Sequence, residues 1–174
     1  LYIAMGWAVI FSFKTLVASV PSQGVAFLIA GDGELFPQIK RRIKDKNLES
    51  KVHLLGYRSD LYNVYAASDL FVCPSRTEAL SFALLEAMSY GLPLVATDVG
   101  GNSDVINEDS NCGLLVTPGN TLALSSAIMQ LYEDKPLYEN YKQGALACVK
   151  DKFSLDITAR KTLDIYKNIT TQQK

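Results

Sequence analysis

The feature that most restricts the fold of this 174-residue chain is a regular alternation of short apolar runs with helical segments. The run Val25–Ala30 is apolar at every position, which is typical of a parallel strand buried on both faces. The predicted strands are Leu1–Val9, Val25–Ala30, Lys51–Leu55, Leu70–Cys73, Leu94–Thr97 and Leu114–Val116. The predicted helices are Ser12–Val20, Glu34–Lys46, Asp60–Ala67, the segment between Ser81 and Gly91, Asp104–Ile106, Leu122–Tyr132, Leu137–Val149 and Leu155–Ile169. This order predicts one α/β domain, with a parallel sheet of about six strands, right-handed crossovers and helices on both faces.

Several candidate binding residues directly follow predicted strands. They are Gly31, Gly33, Tyr57, Arg58, Glu78, Gly100 and Gly101. Because ligands of parallel sheets bind beyond the carboxyl ends of the strands, all of these residues are expected on one edge of the sheet. Gly31 and Gly33 begin a dinucleotide fingerprint, but Phe36 stands where the third glycine is required, so they predict a tight turn. The pair Gly100 and Gly101 predicts close packing or a positive φ angle.

The segment from Pro74 to Pro93 predicts a short helix with clear ends. Ser81 is a favourable N-cap, Gly91 is a favourable C-terminal stop, and Pro93 prevents the helix from continuing. The residues between these ends are apolar on every side, which predicts a helix that is buried all round.

Glu86 is the one charged residue inside this predicted helix. A buried carboxylate is costly unless it has a partner, so Glu86 must meet either a polar group of the core or the polar groups of a ligand. Glu78 precedes it at the mouth of the turn, and the free N–H groups of the helix N-terminus favour anions such as phosphate. Two carboxylates for hydroxyl groups and a helix N-terminus for phosphate would suit a sugar nucleotide, but the spacing alone leaves a structural role equally open.

Composition excludes several classes of function. A net charge of −1 gives no basic excess that would favour nucleic acid or an anionic membrane surface. The three scattered cysteines lack metal-ligand spacing and indicate buried thiols in a reducing compartment. No metal site is expected, because the chain has no Asp-x-Asp and no His/Cys cluster. The apolar start Leu1–Phe13 is too short to span a bilayer, and the absence of an initial methionine predicts a piece of a longer protein.

The pair Glu78 and Glu86 resembles the E-x7-E motif of the family-4 type retaining glycosyltransferases, which have the GT-B architecture. Flanking motifs agree in order with that family: Gly31 to Gly33, Leu55 to Tyr57, Ala67 to Asp69, Gly91 to Thr97, Gly100 to Asn102 and Gly113 to Val116. The resemblance extends from about Phe27 to the final helix and is specific as a set.

The resemblance implies that residues 1–174 form the Rossmann-like, C-terminal donor-binding domain of a GT-B enzyme, closed by helices within residues 150–174. It implies retaining transfer of a sugar from a nucleotide-diphosphate donor, which is a substrate, with no cofactor and no metal. The acceptor, a glycan or a lipid-linked sugar, would be held by an N-terminal domain that is absent here. The fragment alone would therefore be inactive. Such relatives commonly act in bacterial glycan biosynthesis, in the cytoplasm or peripherally at the inner face of the membrane.

The resemblance also assigns roles to individual residues. Glu86 would accept hydrogen bonds from the ribose hydroxyls, and Glu78, as the catalytic residue, would contact the donor sugar. The segment that follows Glu78 would face the sugar and the phosphates through its backbone; its residues are Ala79, Leu80, Ser81 and Phe82. Tyr57 and Arg58 would hold the base, and Gly31 and Gly33 would lie near the nucleotide. Ala79 stands where the family usually has glycine.

One departure from the family concerns the cations that neutralise the donor diphosphate. The family carries an arginine and a lysine after the first strand, where this chain aligns Trp7 and Phe11, and Lys14 lies about a turn too late. Three explanations stay open: an altered first strand, a degenerate relative, or a different alignment. The alternative function is therefore a non-catalytic GT-B-like binding or scaffold module that has lost the cations. A GT-B-like epimerase is disfavoured, because it would need more than the single histidine.

Overall fold

The computed structural model of the protein describes residues 24–171 and the backbone of residues 2–5. The predicted helix Ser12–Val20 and the positions of Trp7, Phe11 and Lys14 lie outside the described residues.

The centre of the fold is a parallel sheet. Five strands lie within residues 24–171, and Tyr2–Met5 pairs between two of them. In chain order the strands are β1 (Tyr2–Met5), β2 (Ala26–Ala30), β3 (Val52–Gly56), β4 (Leu70–Cys73), β5 (Leu94–Thr97) and β6 (Gly113–Val116). Their spatial order is β3-β2-β1-β4-β5-β6, and every named pairing is parallel. The carboxyl ends of all these strands consequently meet at one edge of the sheet.

Helices connect the strands and close the chain. They are α1 (Phe36–Asp45), α2 (Leu61–Ala66), α3 (Phe82–Ser89), α4 (Asn102–Val105), α5 (Thr121–Glu133), α6 (Lys135–Lys152) and α7 (Leu155–Thr171). Two of them begin at side-chain caps, where Asn120 accepts a bond from the Ala123 N–H at 3.0 Å and Asp134 accepts one from the Leu137 N–H at 2.9 Å. Both caps satisfy N–H groups that the first turn of a helix leaves without a partner.

Helices cover both faces of the sheet, as predicted. Successive side chains of a strand point to opposite faces. On one face, Phe27 packs in a cluster with Ile43 of α1 and Ile128 of α5. On the other face, Phe71 packs in a cluster with Met88 of α3. The α/β fold with a parallel sheet and helices on both faces is confirmed.

Three further observations concern the cysteines, the final helix and the lengths of the helices. The three cysteines are buried free thiols, as their scattered spacing predicted. The final helix α7 leaves large apolar side chains exposed, namely Leu155, Leu163, Ile165, Tyr166 and Ile169. No helix within the described residues is both long enough and apolar enough to cross a membrane.

Candidate functional site

The ends of α3 follow the sequence prediction. Ser81 is the N-cap, with an extended backbone at φ −77° and ψ 105°, although its side chain makes no capping hydrogen bond. At the other end Gly91 adopts φ 69°. The Gly91 N–H donates to the Met88 carbonyl at 2.9 Å, and the Leu92 N–H donates to the Ala87 carbonyl at 3.1 Å. This pair of bonds is the Schellman arrangement, which ends the helix.

The prediction that α3 is buried all round is wrong. Only one side of the helix meets the sheet and α6, and Leu84, Ala87 and Met88 are buried there. The opposite side forms an exposed stripe at helical spacing, composed of Phe82, Glu86, Ser89 and Tyr90. Phe82 is 74% exposed. Residues at these spacings share one face of a helix, so Glu86 points outward and is not a buried carboxylate.

Glu86 nevertheless has a partner that the sequence analysis missed. The Tyr65 hydroxyl, from α2, donates a hydrogen bond to Glu86 Oε2 at 2.9 Å. The ring of Tyr65 stacks on Tyr90, with centroids 5.7 Å apart and planes 29° from parallel, and it meets the Phe71 ring edge-on at 5.8 Å. Burial first, and then the bond to Glu86, raises the pKa of Tyr65 well above its ordinary value. The tyrosine therefore keeps its proton and acts as the donor.

Glu78 is half-buried on the turn between β4 and α3. The Ser75 hydroxyl donates to Glu78 Oε1 at 2.6 Å, and the Cys73 thiol lies 4.0 Å from the same oxygen. The Cys73 sulfur also lies 3.8 Å from the Ser81 hydroxyl. Burial raises the pKa of the Cys73 thiol, which favours the neutral form beside the carboxylate. The turn thus holds Glu78 by a short hydrogen bond from a buried serine.

A second layer of hydrogen bonds supports this turn from β5. Thr97 Oγ1 donates to the Ser75 carbonyl at 2.6 Å and approaches the Cys73 carbonyl at 3.3 Å. Asn102 Nδ2 donates to the Thr97 carbonyl at 2.9 Å. The Oδ1 atom of Asn102 is buried and has no hydrogen-bond partner within the described part of the chain. The backbone of residues 73–75 is consequently tied to the neighbouring strand.

The glycine pair after β5 fixes the position of the same turn. The Gly101 N–H donates to the Ala79 carbonyl at 2.7 Å. Gly100 has φ +53°, and a Cβ atom at this position would overlap the Glu78 carbonyl oxygen. A Cβ atom on Gly101 would lie 2.5 Å from the Ala79 carbonyl oxygen. The predicted close packing and positive φ are both confirmed.

The remaining candidates lie at the ends of β2 and β3. Gly31 has φ 132°, and its N–H donates to the Gly56 carbonyl at 2.7 Å, so the two turns are joined. Tyr57 is 74% exposed. Arg58 donates two hydrogen bonds to the Asp60 carboxylate, at 2.7 and 2.6 Å. Asn63 Nδ2 donates a further bond to this carboxylate at 3.0 Å. The bonds from Arg58 first, and then the bond from Asn63, lower the pKa of Asp60 to about 2.

The structure therefore places the candidates in two groups on one edge of the sheet. Gly31, Tyr57 and Arg58 follow β2 and β3, whereas the Glu78 turn follows β4, with β1 between the two groups. Gly33 lies in the first of these turns, where its carbonyl accepts the Phe36 N–H at 2.8 Å. Ala79, Leu80, Ser81 and Phe82 connect Glu78 to the first turn of α3.

Among the residues that the sequence analysis missed, only Ser75 has a local signal, because it lies two residues after the end of β4. Tyr65 bonds to Glu86, which lies 21 residues away in the sequence, and Thr97 bonds to Ser75, which lies 22 residues away. Nothing in the local sequence around Tyr65 or Thr97 indicates these partners.

The carboxyl edge of the sheet offers hydrogen-bond acceptors and donors for a polar ligand. Carboxylate oxygens accept hydrogen bonds from hydroxyl groups, and a single carboxylate has about four acceptor positions. The first N–H groups of a helix such as α3 are oriented to bind anions, including phosphate. Within the described residues, no group of three or more histidine, cysteine or acidic side chains is arranged to hold a metal ion.

Comparison with known proteins identifies the family. The family described as "Glycosyl transferases group 1" matches residues 9–147. A UDP-Gal:alpha-D-GlcNAc-diphosphoundecaprenol alpha-1,3-galactosyltransferase of Escherichia coli is 37% identical over 112 residues, covering 64% of this chain and 29% of that protein. An N-acetyl-alpha-D-glucosaminyl L-malate synthase of Bacillus anthracis is 30% identical over 166 residues, covering 95% of this chain and 42% of that protein.

Solved structures support the same family assignment. The crystal structure of Anabaena HepE in complex with UDP superposes with a TM-score of 0.87 at 25% identity, over 96% of this chain and 48% of that chain. The same protein in complex with UDP-glucose superposes with a TM-score of 0.86. This chain spans less than half the length of each of these three proteins. The resemblance inferred from Glu78, Glu86 and their flanking motifs is confirmed, and the chain belongs to the glycosyl transferases of group 1.

Proposed function

We propose that this chain is the donor-binding half of a retaining glycosyltransferase that uses a UDP-sugar. The observation that carries this proposal is the position of Glu86, an exposed carboxylate on the outward stripe of α3 at the ligand-binding edge of the sheet. The Tyr65 hydroxyl bonds to Oε2, and the exposed carboxylate keeps further acceptor positions available to a ligand. UDP and UDP-glucose bound to HepE, a structural neighbour, support the choice of nucleotide.

The proposed roles are those that the family resemblance implies for the residues at this edge. Glu86 accepts hydrogen bonds from the ribose hydroxyls, while Glu78 contacts the donor sugar. The backbone N–H groups at the start of α3, after Ser81, bind the diphosphate, where a helix N-terminus favours negative charge. Tyr57 and Arg58 hold the base from the end of β3, with Gly31 and Gly33 beside the nucleotide. Preorganised donors of this kind stabilise the charge that develops on a leaving diphosphate.

We further propose that acceptor binding requires a second domain. The chain spans less than half of its relatives, and the large apolar side chains exposed on α7 are available to pack against another domain. The acceptor would be a glycan or a lipid-linked sugar. The isolated chain is accordingly expected to bind nucleotide without transferring sugar.

A titration tests the proposal. UDP, UDP-glucose and GDP are added to the chain, and dissociation constants are measured by calorimetry or by NMR chemical shifts. The Glu86→Ala variant should bind UDP about tenfold or more weakly, since hydrogen bonds to a charged group contribute about 1.5–3 kcal/mol. Glu133→Ala is the matched control, because Glu133 is an exposed glutamate at the end of α5. Equal affinity of all three proteins for UDP would refute the proposed site.

The non-catalytic binding or scaffold module stays as the second candidate, because two observations favour it. Trp7 and Phe11 occupy the positions aligned with the family's diphosphate cations, and the charge of Arg58 is already paired with Asp60. A chain that binds none of the nucleotides, alone or within its full-length protein, would support this candidate. Transfer by the full-length protein that is lost on Glu78→Ala would exclude it.

A further inference from the structure

Tyr65 is a buried side chain that holds Glu86 by a hydrogen bond. Tyr65 is only 7% exposed although it sits on the short helix α2, and its ring is packed against both Phe71 and Tyr90. Glu86, by contrast, is exposed and reaches Tyr65 through a flexible side chain. The hydrogen bond at 2.9 Å therefore joins a donor held by packing to an acceptor that would otherwise sample many rotamers.

We propose that Tyr65 is a positioning residue that orients the Glu86 carboxylate for the ribose hydroxyls of the donor. The inference rests on the proposed function, because it assumes that Glu86 is the ribose acceptor. Tyr65 does not touch the nucleotide and acts through Glu86. Its hydroxyl occupies Oε2, which leaves Oε1 and a further acceptor position of the carboxylate for the two hydroxyl groups of the ribose.

Two features of the contact fit a positioning role. The Tyr65 hydroxyl is protonated and donates to one oxygen of a carboxylate whose remaining acceptor positions are open. In addition, both aromatic contacts of Tyr65 are made by its ring, so they do not depend on the hydroxyl. A ligand that meets a carboxylate already held in one orientation loses less side-chain entropy on binding.

The test compares Tyr65→Phe with Tyr62→Phe, using UDP and 2′,3′-dideoxyuridine diphosphate as probes. Tyr62 lies on the same helix, is 57% exposed, and provides a matched loss of one hydroxyl group. Tyr65→Phe should weaken UDP binding by about two- to tenfold, the range expected for the loss of one hydrogen bond. It should change the affinity for the dideoxy nucleotide by less than about twofold, because that probe lacks the hydroxyls that Glu86 would bind. Tyr62→Phe should leave both dissociation constants unchanged.

The outcomes separate this inference from the proposed function. If the wild-type chain binds UDP more tightly than the dideoxy probe but Tyr65→Phe matches the wild type, the inference is refuted and the proposed function stands. If Tyr65→Phe weakens both probes equally, the tyrosine is a structural residue and the inference is again refuted. If the wild-type chain binds the two probes equally, or binds neither, the ribose role of Glu86 fails and the inference fails with it.

Discussion

Replacing Gly100 by alanine should destabilise the turn that carries Glu78. Gly100 has φ +53°, and a Cβ atom there would overlap the carbonyl oxygen of Glu78 and lie 2.7 Å from its carbonyl carbon. The obstructing atoms belong to backbone, which cannot move away as the end of a flexible side chain can. A non-glycine residue in the left-handed region costs about 1–2 kcal/mol, and overpacking of a well-packed region costs about 1–3 kcal/mol. The free energy of unfolding should therefore fall by about 2–5 kcal/mol.

Gly119→Ala isolates the contribution of the overlap. Gly119 has φ +78°, but a Cβ atom there would meet nothing within 4 Å. Both substitutions carry the free-energy cost of placing alanine in a left-handed backbone conformation, and both reduce the conformational entropy of the unfolded chain in the same way. The difference between the two variants in urea-induced unfolding should consequently be about 1–3 kcal/mol, which is the overlap alone.

The same pair of variants also reports on the site. Gly100→Ala should weaken UDP binding, because relief of the overlap must displace the Glu78 turn, whereas Gly119→Ala should bind UDP as the wild type does. Equal unfolding free energies for Gly100→Ala and Gly119→Ala would show that the turn accommodates a methyl group at no cost, contrary to this prediction.

Further perturbations test other contacts of the structure. Ser75→Ala removes the 2.6 Å bond to Glu78, and we expect it to lower the transfer rate of the full-length protein more than its affinity for UDP. In an NMR pH titration, the Asp60 carboxyl should titrate at about 2 and move toward its ordinary value of 3.8 in Arg58→Ala. Because the folded-state pKa is lowered, this pair stabilises the fold above the ordinary value and loses its contribution as the pH falls toward 2. Asn120→Ala removes the cap of α5 and should lower the free energy of unfolding by about 1 kcal/mol in a urea denaturation.

Local patterns in the sequence were sufficient to predict the framework of the fold. The strands Leu70–Cys73 and Leu94–Thr97 have the predicted bounds, because each is a short apolar run bounded by residues that break strands. The end of α3 at Gly91 was also predictable, since a glycine with positive φ is the commonest way to stop a helix. The placement of the candidate residues at one edge of the sheet followed from the parallel order of the strands alone.

Burial around α3 was not predictable in the same way. An apolar composition on every side indicated complete burial, but the helix lies at the edge of the domain and presents Phe82 and Glu86 outward. Tertiary position decided which side of the helix was covered, and a short helix with few polar residues carries little periodic signal about that side. The contact between Tyr65 and Glu86 joins two helices, so it could be found only in three dimensions.

A crystal structure of the chain soaked with UDP would show whether Glu86 binds the nucleotide. We expect the ribose hydroxyls to lie within hydrogen-bonding distance of the Glu86 carboxylate, with Tyr65 still bonded to that carboxylate and the diphosphate at the start of α3. Electron density for UDP away from the carboxyl edge of the sheet, or at that edge with Glu86 turned away from the ribose, would contradict this expectation.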